Sequence, residues 1–428
     1  MKADAFIAPV HAAAGRPLPL LAGVAKAMLH KLLARLHSGR LSLVDGGEHR
    51  DFGPGSGEAP HATIEVRHPA FYADAVFGGS IGVAESYMLG DWDTDRLTDL
   101  IRLMVLNREV VDGMDERGLA RLATPARKLL HWLNRNTQAG SRRNIAAHYD
   151  LGNDFFATFL DETWMYSSAI FERPDMTLAE ASTAKLDRIC RKLDLGPADH
   201  VLEIGSGWGG FALHAAAHYG CRVTTTTISS EQHALARSRI EAAGLADRIT
   251  LLKQDYRDLT GQYDKLVSIE MIEAVGHQYY DDYFRQCARL LKPHGQFLLQ
   301  GITIADQRFA AAASSVDFIQ RYIFPGSTIP SVTALLDSAT RASDLRLFHL
   351  EDIGPHYATT LARWRENFFA NIDEVRALGY SEEFIRMWAF YLCYCEGGFA
   401  ERALGDVQML LVKPGARPAP ILPALTPP

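Results

Sequence analysis

A short strand, a glycine-rich loop and the start of a helix follow one another in Val201-Leu202-Glu203-Ile204-Gly205-Ser206-Gly207-Trp208-Gly209-Gly210. The first four residues are typical of a buried strand, and residues 211–217 continue as an apolar helical run. Glycine lets a backbone come close to a ligand and adopt positive φ. In a doubly wound α/β fold, this order of strand, loop and helix places the loop at the ligand site.

The spacing of the loop limits the kind of ligand. It reads E-x-G-x-G-x-G, which differs from the dinucleotide motif G-x-G-x-x-G, and no phosphate-binding lysine follows as in a P-loop. The loop therefore favours a ligand without phosphates. Glu203 at the strand end suits a cationic or amino-acid-like ligand, and S-adenosylmethionine is both. The alternative is a glycine-rich turn that only allows close packing of helix and sheet.

Composition excludes several classes of protein. The 428 residues suffice for two or three domains, and a net charge of −7 argues against a nucleic-acid-binding protein. No run of about 18 apolar residues is free of charges, so no segment is expected to span a bilayer. The five cysteines form no C-x-x-C pair, which favours reduced thiols over a disulfide or zinc framework, and we expect no metal site.

The first part of the chain predicts a small α/β accessory domain at 1–110, followed by a basic linker at 111–144. A helix is expected at 20–36, with basic residues beside an apolar stripe that includes Met28. Such a helix either lies on an anionic membrane surface or is an ordinary surface helix. Short strands are expected at 41–44 and 62–66. The proline-rich end, 414–428, is expected to be disordered.

Helices and strands alternate from residue 145 to about residue 304, with, among others, a helix expected at 178–193 and a strand at 222–227. This alternation predicts a mostly parallel sheet with helices on both faces. Such sheets bind ligands at the carboxyl ends of their strands. Acidic and hydroxyl side chains stand at the predicted ends: Glu203, Thr227, Asp255, Glu270 and Glu273. Residues 306–411 are rich in aromatics and read as mostly helical, either as a packed core or as the wall of a tunnel for a long apolar substrate.

Several motifs accompany the glycine loop, in order: AESYMLGDW at 84–92, HYDLGNDFF at 148–156, MYSSA at 165–169, TIS at 227–229 with Gln232, QDYRD at 254–258 and SIEMIEAVG at 268–276. The ordered set resembles the cyclopropane-fatty-acyl-phospholipid synthases, including the mycolic acid cyclopropane synthases, which are S-adenosylmethionine-dependent methyltransferases. The resemblance implies a catalytic domain at 145–413 with the class I methyltransferase fold. This is a Rossmann-like α/β domain with a seven-stranded, mostly parallel sheet and an aromatic helical cap.

The resemblance implies a binding site for S-adenosylmethionine around the glycine loop. Tyr166 and Ser167 are expected to hold the methionine end, and Thr227 and Gln232 the ribose and adenosine. The full set expected to contact the cofactor is Tyr166, Ser167, Glu203, Gly205, Gly207, Trp208, Thr227, Ile228, Gln232, Asp255 and Tyr256.

The resemblance also implies a catalytic site that binds a bicarbonate ion. Glu273, Tyr357 and the backbone of Ile302 are expected to hold this ion. Two residues depart from the family pattern, because Ser168 stands where cysteine is common and Gln300 where histidine is common. Both still donate hydrogen bonds to an anion, but neither titrates near neutral pH. A further expected member is the buried thiol of Cys395, beside the active-site wall.

The reaction implied by the resemblance begins when a cis double bond attacks the sulfonium methyl group, an event that depends mostly on positioning. The resulting carbocation then loses a proton and closes a cyclopropane ring, with bicarbonate as the base. The substrates are unsaturated acyl chains of membrane phospholipids. The enzyme is therefore expected in the cytoplasm, reversibly bound to the inner face of the membrane, and a homodimer is one expected assembly.

Three alternatives stay open at this point. Loss of a different proton would give a methyl- or methylene-branched chain instead of a ring. A small-molecule O- or N-methyltransferase would share the cofactor loop, although the long aromatic region speaks against it. An inactive lipid-binding relative is the third, suggested by Ser168 and Gln300.

Overall fold

The computed structural model describes residues 19–55, 58–117 and 151–421. Most of the predicted linker therefore lies outside the described residues, as do the first three residues of the HYDLGNDFF motif and the last part of the proline-rich end. Contacts between Cα atoms divide the chain into two compact units. Among the described residues, the first unit comprises those up to 117 together with 314–325 and 361–404, and the second comprises 151–313, 326–360 and 405–421. The aromatic region is thus shared between the two units, which the sequence pattern gave no sign of.

The first unit contains a four-stranded sheet of order β2-β1-β3-β4. Its strands are β1 (Arg40–Asp45), β2 (Glu48–Phe52), β3 (His61–Val66) and β4 (Trp92–Asp93). Its helices are Pro19–Leu33, Ala70–Met88, Leu97–Leu106, Arg108–Arg117, Ile372–Ala377 and Glu382–Ala400, with a short π-helix at Ile319–Ile323. Helix Gly354–Ala370 begins in the second unit and ends in the first.

Strands β1 and β2 form a hairpin whose turn is set by two glycines. Asp45 pairs with Glu48 across the antiparallel register, and Gly46 and Gly47 between them have φ of 56° and 93°. Two-residue hairpin turns of this kind need positive φ at both positions, which glycine adopts without steric cost. The sequence analysis predicted β1 and β3 but not the exposed strand β2.

The AESYMLGDW motif forms the centre of the first unit. Trp92 is buried, and its indole N–H donates to the Val83 carbonyl at 3.0 Å. The guanidinium of Arg386 lies 3.9 Å from the ring centroid of Tyr87 and donates to the carbonyls of Tyr87 and Trp92. A cation over an aromatic face that also bonds backbone carbonyls ties helix Glu382–Ala400 to this motif.

The second unit contains the seven-stranded sheet, of order β10-β11-β9-β8-β5-β6-β7. Its strands are β5 (His200–Ile204), β6 (Arg222–Thr227), β7 (Ile249–Lys253), β8 (Tyr263–Ile269), β9 (Leu291–Ile304), β10 (Arg346–Asp352) and β11 (Leu404–Val412). Its helices are Asn153–Ala157, Leu178–Lys192, Gly210–Tyr219, Ser230–Ala242, Tyr280–Leu290, Asp306–Ala313 and Val332–Ala342. Short 3-10 turns lie at Tyr256–Asp258, Ile272–Ala274 and His277–Tyr279.

Neighbouring side chains of the central strands point into two different apolar clusters. Leu202 and Leu266 belong to one cluster, whereas Val201 and Val267 belong to the other. Because side chains alternate along a strand, both faces of the sheet are covered by apolar layers. Strands β5 to β9 pair in parallel, and β10 pairs antiparallel with β11. The predicted α/β fold with a mostly parallel sheet is confirmed.

Candidate active site

The glycine loop after β5 is fixed to the end of β6. The backbone N–H groups of Gly205 and Ser206 both donate to the carbonyl of Thr226, at 3.1 and 2.9 Å. A Cβ atom on Gly207 would meet nothing within 4 Å, whereas one on Gly210 would lie 2.5 Å from Met165 Sδ. The two glycines therefore differ: Gly210 allows close packing against Met165, and Gly207 borders open space on the loop, so the prediction that the loop binds the cofactor stays a prediction.

Glu203 at the end of β5 is buried, and its Oε2 accepts a hydrogen bond from Thr225 Oγ1 at 2.6 Å. Burial raises the pKa of this carboxyl to about 8, while the Thr225 hydroxyl and the positive charge of Lys185 act in the opposite direction. Glu203 therefore has a fixed orientation beside the loop, and its contact with the cofactor stays a prediction.

The end of β6 carries a connected set of polar side chains. Thr227 Oγ1 donates to Gln232 Oε1 at 2.8 Å and accepts from the backbone N–H of Ser229 at 3.1 Å. Ser229 Oγ in turn accepts from the backbone N–H of Gln232, which caps the following helix. Ile228 between them is half-buried. Thr227, Ile228 and Gln232, predicted to contact the cofactor, thus share one turn whose conformation is fixed by its own hydrogen bonds.

Asp255 follows β7 and is paired with a neighbouring arginine. Arg257 donates from Nε to Oδ1 and from Nη2 to Oδ2, both at 2.8 Å. The adjacent Tyr256 is buried, with its ring 5.4 Å from that of Tyr283. Arg257 belongs to this site, although it had no assigned role in the sequence analysis. Its position two residues after Asp255 in the QDYRD motif was the available signal.

Phe156 supports two of the predicted cofactor residues. Its ring lies 5.3 Å from Tyr166 and 5.0 Å from Trp208. Trp208 is buried, and its indole N–H donates to Asn153 Oδ1 at 2.7 Å. The described part of the HYDLGNDFF motif therefore holds the tryptophan of the glycine loop in place. Ser167 follows Tyr166 and accepts a hydrogen bond from Lys185 Nζ at 2.6 Å.

Glu270, directly after β8, lies at the centre of a second cluster. Its Oε1 accepts from the backbone N–H of Ser168 at 2.8 Å and from Gln300 Nε2 at 2.9 Å. Its Oε2 accepts from the Tyr357 hydroxyl at 2.6 Å. The backbone of Glu270 has φ of 48°, which a glutamate rarely adopts. The structure thus brings Ser168, Gln300 and Tyr357 together around a carboxylate that the sequence analysis placed only at a strand end.

Glu273 lies in the 3-10 turn after Glu270 and has a poorer set of donors. Its Oε1 accepts from the backbone N–H of Ile302 at 2.5 Å. Its Oε2 is buried and has no hydrogen-bond donor among the described residues. Burial and the negative charge of Glu270 raise the pKa of Glu273 to about 8. The expected partners Glu273 and Ile302 are therefore in contact with each other.

Asp406 and Lys185 complete this cluster. Asp406 Oδ2 accepts from Gln300 Nε2 at 3.0 Å, while Oδ1 has no partner within the described part of the chain. Burial and the charges of Glu270 and Glu273 raise the pKa of Asp406 well above its usual range. Lys185 is fully buried on helix Leu178–Lys192. Burial lowers its pKa to about 8 against the attraction of the carboxylates.

Cys395 lies in the first unit, on helix Glu382–Ala400. Burial and the negative charge of Asp317 raise the pKa of its thiol, so it is not a ready nucleophile. Its predicted place beside the active site stays a prediction. Across the described ranges, no group of three or more histidine, cysteine and acidic residues is arranged to hold a metal ion.

The pKa of Glu273 leads to a prediction about stability. In the unfolded chain its carboxyl has the ordinary pKa of 4.5, against about 8 in the folded protein. The stabilisation from this group is complete below the lower value and is lost as pH rises towards the higher one. Glu273→Gln removes this dependence. Between pH 5 and 8 the free energy of unfolding should decrease in both proteins, and the decrease should be about 1–3 kcal/mol smaller in the variant than in the wild type. Urea denaturation at several pH values measures this, with exposed Glu241→Gln as the control.

Comparison with known proteins agrees with this geometry. A coclaurine N-methyltransferase structure covers 77% of the chain with a TM-score of 0.58, and at 21% identity it shows the fold alone. The cyclopropane synthase structure from Mycobacterium tuberculosis covers 64% of this chain and 98% of its own, with a TM-score of 0.60 and 32% identity. The seven-stranded sheet with a glycine loop at its carboxyl edge, together with these structural neighbours, identifies a class I S-adenosylmethionine-dependent methyltransferase.

Residues 136–409 match the family described as mycolic acid cyclopropane synthetase, and the chain belongs to this family. The cyclopropane-fatty-acyl-phospholipid synthase of Escherichia coli is 40% identical over 357 residues, which is 83% of this chain and 87% of that protein. A tuberculostearic acid methyltransferase of Mycobacterium tuberculosis is 41% identical over 346 residues, 79% of this chain and 80% of that protein. The prediction of a methyltransferase of this family is confirmed.

Proposed function

We propose that the protein transfers the methyl group of S-adenosylmethionine to the cis double bond of unsaturated acyl chains in membrane phospholipids and forms a cyclopropane ring. The observation that carries the proposal is the 40% identity, over 83% of the chain, to a protein named as a cyclopropane-fatty-acyl-phospholipid synthase. The family match at 136–409 spans both the cofactor loop and the carboxyl cluster. S-adenosylmethionine, when bound, supplies an electrophilic methyl group.

The residues of the second unit fit this chemistry. The open side of Gly207 and the fixed turn at Thr227 and Gln232 suit a nucleoside with an amino-acid end. The Glu270 cluster supplies carboxyl groups that can accept the proton released after methyl transfer. An alkene needs no base to attack, so orientation comes first and the proton acceptor acts second.

A second product is favoured by a separate observation. The tuberculostearic acid methyltransferase is as similar to this chain as the cyclopropane synthase is, at 41% identity over 79% of the chain. Its name indicates a branched product. The cation either closes the ring or, after a hydride shift, loses a proton to give a methylene-branched chain, which a separate reductant would convert into a methyl-branched chain. Both products begin with the same methyl transfer.

We further propose reversible contact with the inner face of the membrane. No helix in the described residues is long and apolar enough to cross a bilayer. On helix Pro19–Leu33, Ala25 and Leu29 are buried, whereas Val24 and Met28 are 56% and 43% exposed. Met28, on the predicted apolar stripe, therefore faces outward, whereas Ala25 of the same stripe is buried. Two exposed apolar side chains one turn apart can insert shallowly into a lipid surface and give only weak, reversible binding. The homodimer stays a prediction.

Purified protein with phospholipid vesicles and S-adenosylmethionine carrying a deuterated methyl group tests the proposal. We expect label in the acyl chains of vesicles with cis-unsaturated lipids and none in vesicles with saturated lipids. Deuterium NMR of the extracted lipid distinguishes deuterons on a cyclopropane ring from the vinyl deuterons of a methylene branch. Turnover of soluble phenols or amines without any labelled lipid would instead support a small-molecule methyltransferase.

A further inference from the structure

The donors expected to hold a separate anion already contact carboxyl groups of the chain. Ser168, Gln300 and Tyr357 donate to Glu270, and the Ile302 N–H donates to Glu273. A bicarbonate ion at this place would lose these hydrogen bonds to the chain's own carboxyl oxygens and would meet their negative charge. The arrangement does not fit a second anion, because unpaired like charges at short range are unfavourable.

The three carboxyl groups of the cluster are not equivalent. Glu270 accepts one backbone, one amide and one hydroxyl hydrogen bond, whereas Glu273 and Asp406 each keep a buried oxygen without a donor. Lys185 is the buried cation whose charge attracts Glu270 most strongly. Hydrogen bonds to the charged form favour ionisation, so Glu270 is the first of the three to ionise. Glu273 and Asp406 stay neutral beside it.

We propose that Glu270 is the base of the reaction, a carboxylate built into the chain at the place where the resemblance expects bicarbonate. This inference rests on the proposed function. Glu270 directly follows β8, and the glycine loop directly follows the neighbouring parallel strand β5, so Glu270 lies at the same edge of the sheet as the loop. A C–H bond of the transferred methyl group breaks, its electron pair forms the new bond to the cationic carbon, and the proton goes to a Glu270 oxygen. The proton passes to solvent before the next turnover.

Asp406 acts as a positioning residue in this proposal. Gln300 Nε2 donates to both Glu270 Oε1 and Asp406 Oδ2, at 2.9 and 3.0 Å. Gln408 Nε2 donates to Gln300 Oε1 at 3.1 Å, which fixes the orientation of the Gln300 amide. The neutral carboxyl of Asp406 thus holds the amide that points at Glu270, without adding a second negative charge.

Turnover of unsaturated phospholipid vesicles in buffer freed of carbon dioxide, with and without added bicarbonate, tests the base. We expect the wild-type rate to be the same in both. Glu270→Gln should lower it by about 100-fold or more, while calorimetry shows unchanged affinity for S-adenosylhomocysteine. Glu270→Gly should be inactive alone and recover with bicarbonate, since glycine adopts φ of 48° readily and frees the donors. Glu241→Gln, an exposed substitution, is the matched control.

The outcomes separate this inference from the proposed function. A wild-type rate that rises with bicarbonate, or a Glu270→Gln variant that keeps its rate, overturns the role of Glu270 while the lipid product remains. Absence of labelled lipid from the wild type in either buffer contradicts the proposed function itself. In that case the infrared spectrum still tests the charge assignment.

Infrared difference spectra test the protonation states directly. We expect Asp406→Asn to remove a band of a protonated carboxyl group at neutral pH, and Glu270→Gln to remove a band of an ionised one. If Asp406 had only a structural role, Asp406→Asn would leave the band of the protonated carboxyl group unchanged. The reverse pattern, with Glu270 protonated and Asp406 ionised, would refute the assignment.

Discussion

Replacing Lys185 with methionine is expected to lower turnover by about 100-fold or more. Lys185 is fully buried and donates to Ser167 Oγ at 2.6 Å. Its charge opposes the rise in the pKa values of Glu270, Asp406 and Glu203. Methionine has a similar length and no charge. Without the cation, the pKa of Glu270 rises further, the carboxyl is protonated at neutral pH, and it no longer accepts a proton.

The pH dependence of the remaining activity identifies this cause. If the variant acts through the pKa of Glu270, its rate should recover as pH rises, and its pH optimum should lie above that of the wild type. The groups that face Glu270 in the cluster are Ser168, Gln300, Tyr357, Asp406 and Glu273. All are retained, so the shift reports the loss of the Lys185 charge. Rates measured across the pH range, with S-adenosylhomocysteine binding measured in parallel, make the test.

Lys253→Met is the matched control, because Lys253 is exposed and its Nζ donates to the neutral Ser230 Oγ at 2.7 Å. It should keep the wild-type rate and pH optimum. Loss of one partner of a buried charge cluster costs about 3–5 kcal/mol unless the remaining groups change protonation. Here the carboxyl groups can take up a proton, so the variant is expected to fold. Full activity with an unshifted optimum would show that Lys185 only supports Ser167.

Much of the second unit was predictable because its signals are local. The predicted strand at 222–227 is the observed β6, and the helix predicted at 178–193 is observed as Leu178–Lys192. The start of that helix carries a complete capping box, in which Thr177 and Glu180 bond each other's backbone. Apolar period and capping residues act within a few positions, so a single sequence displays them.

The strands β10 and β11 were missed when the aromatic region was read as mostly helical. Strand β10 has little buried surface, and its place depends on pairing with β11, more than fifty residues later. The seven strands expected from the family resemblance are present. Nothing local marks a strand whose partner is distant, because pairing is decided by tertiary contacts.

The carboxyl cluster also depends on contacts between residues that are distant in sequence, and these contacts have no local sequence signal. Ser168, Gln300 and Tyr357 were expected near one another, but the group that they contact, Glu270, was read as a strand-end residue. Lys185 lies on an amphipathic helix, where a lysine is ordinarily exposed. Asp406 is distant in sequence from the motifs around Glu270. The role of these groups depends on their burial and on their hydrogen-bond partners. Both are set by residues that are distant in sequence, so the adjacent residues do not indicate them.

Alanine substitutions at two glycines of the loop should have different effects, one mainly on cofactor binding and the other mainly on stability. Gly207 has φ of 48°, and a Cβ atom there meets nothing within 4 Å. Alanine at this position should cost about 1–2 kcal/mol of stability from its left-handed backbone. It would also place a methyl group on the open side of the loop, where we expect the cofactor. Affinity for S-adenosylhomocysteine should fall by about 10-fold or more.

Gly210→Ala should show the opposite pattern. A Cβ atom there would lie 2.5 Å from Met165 Sδ and 2.8 Å from the Thr163 carbonyl, which is backbone and cannot move aside easily. Overpacking of this kind costs about 1–3 kcal/mol or more, and the loss should appear in urea denaturation before any loss of binding by the folded fraction. If Gly207→Ala instead binds S-adenosylhomocysteine normally, the open space at Gly207 does not face the cofactor, and the loop serves only to join strand and helix.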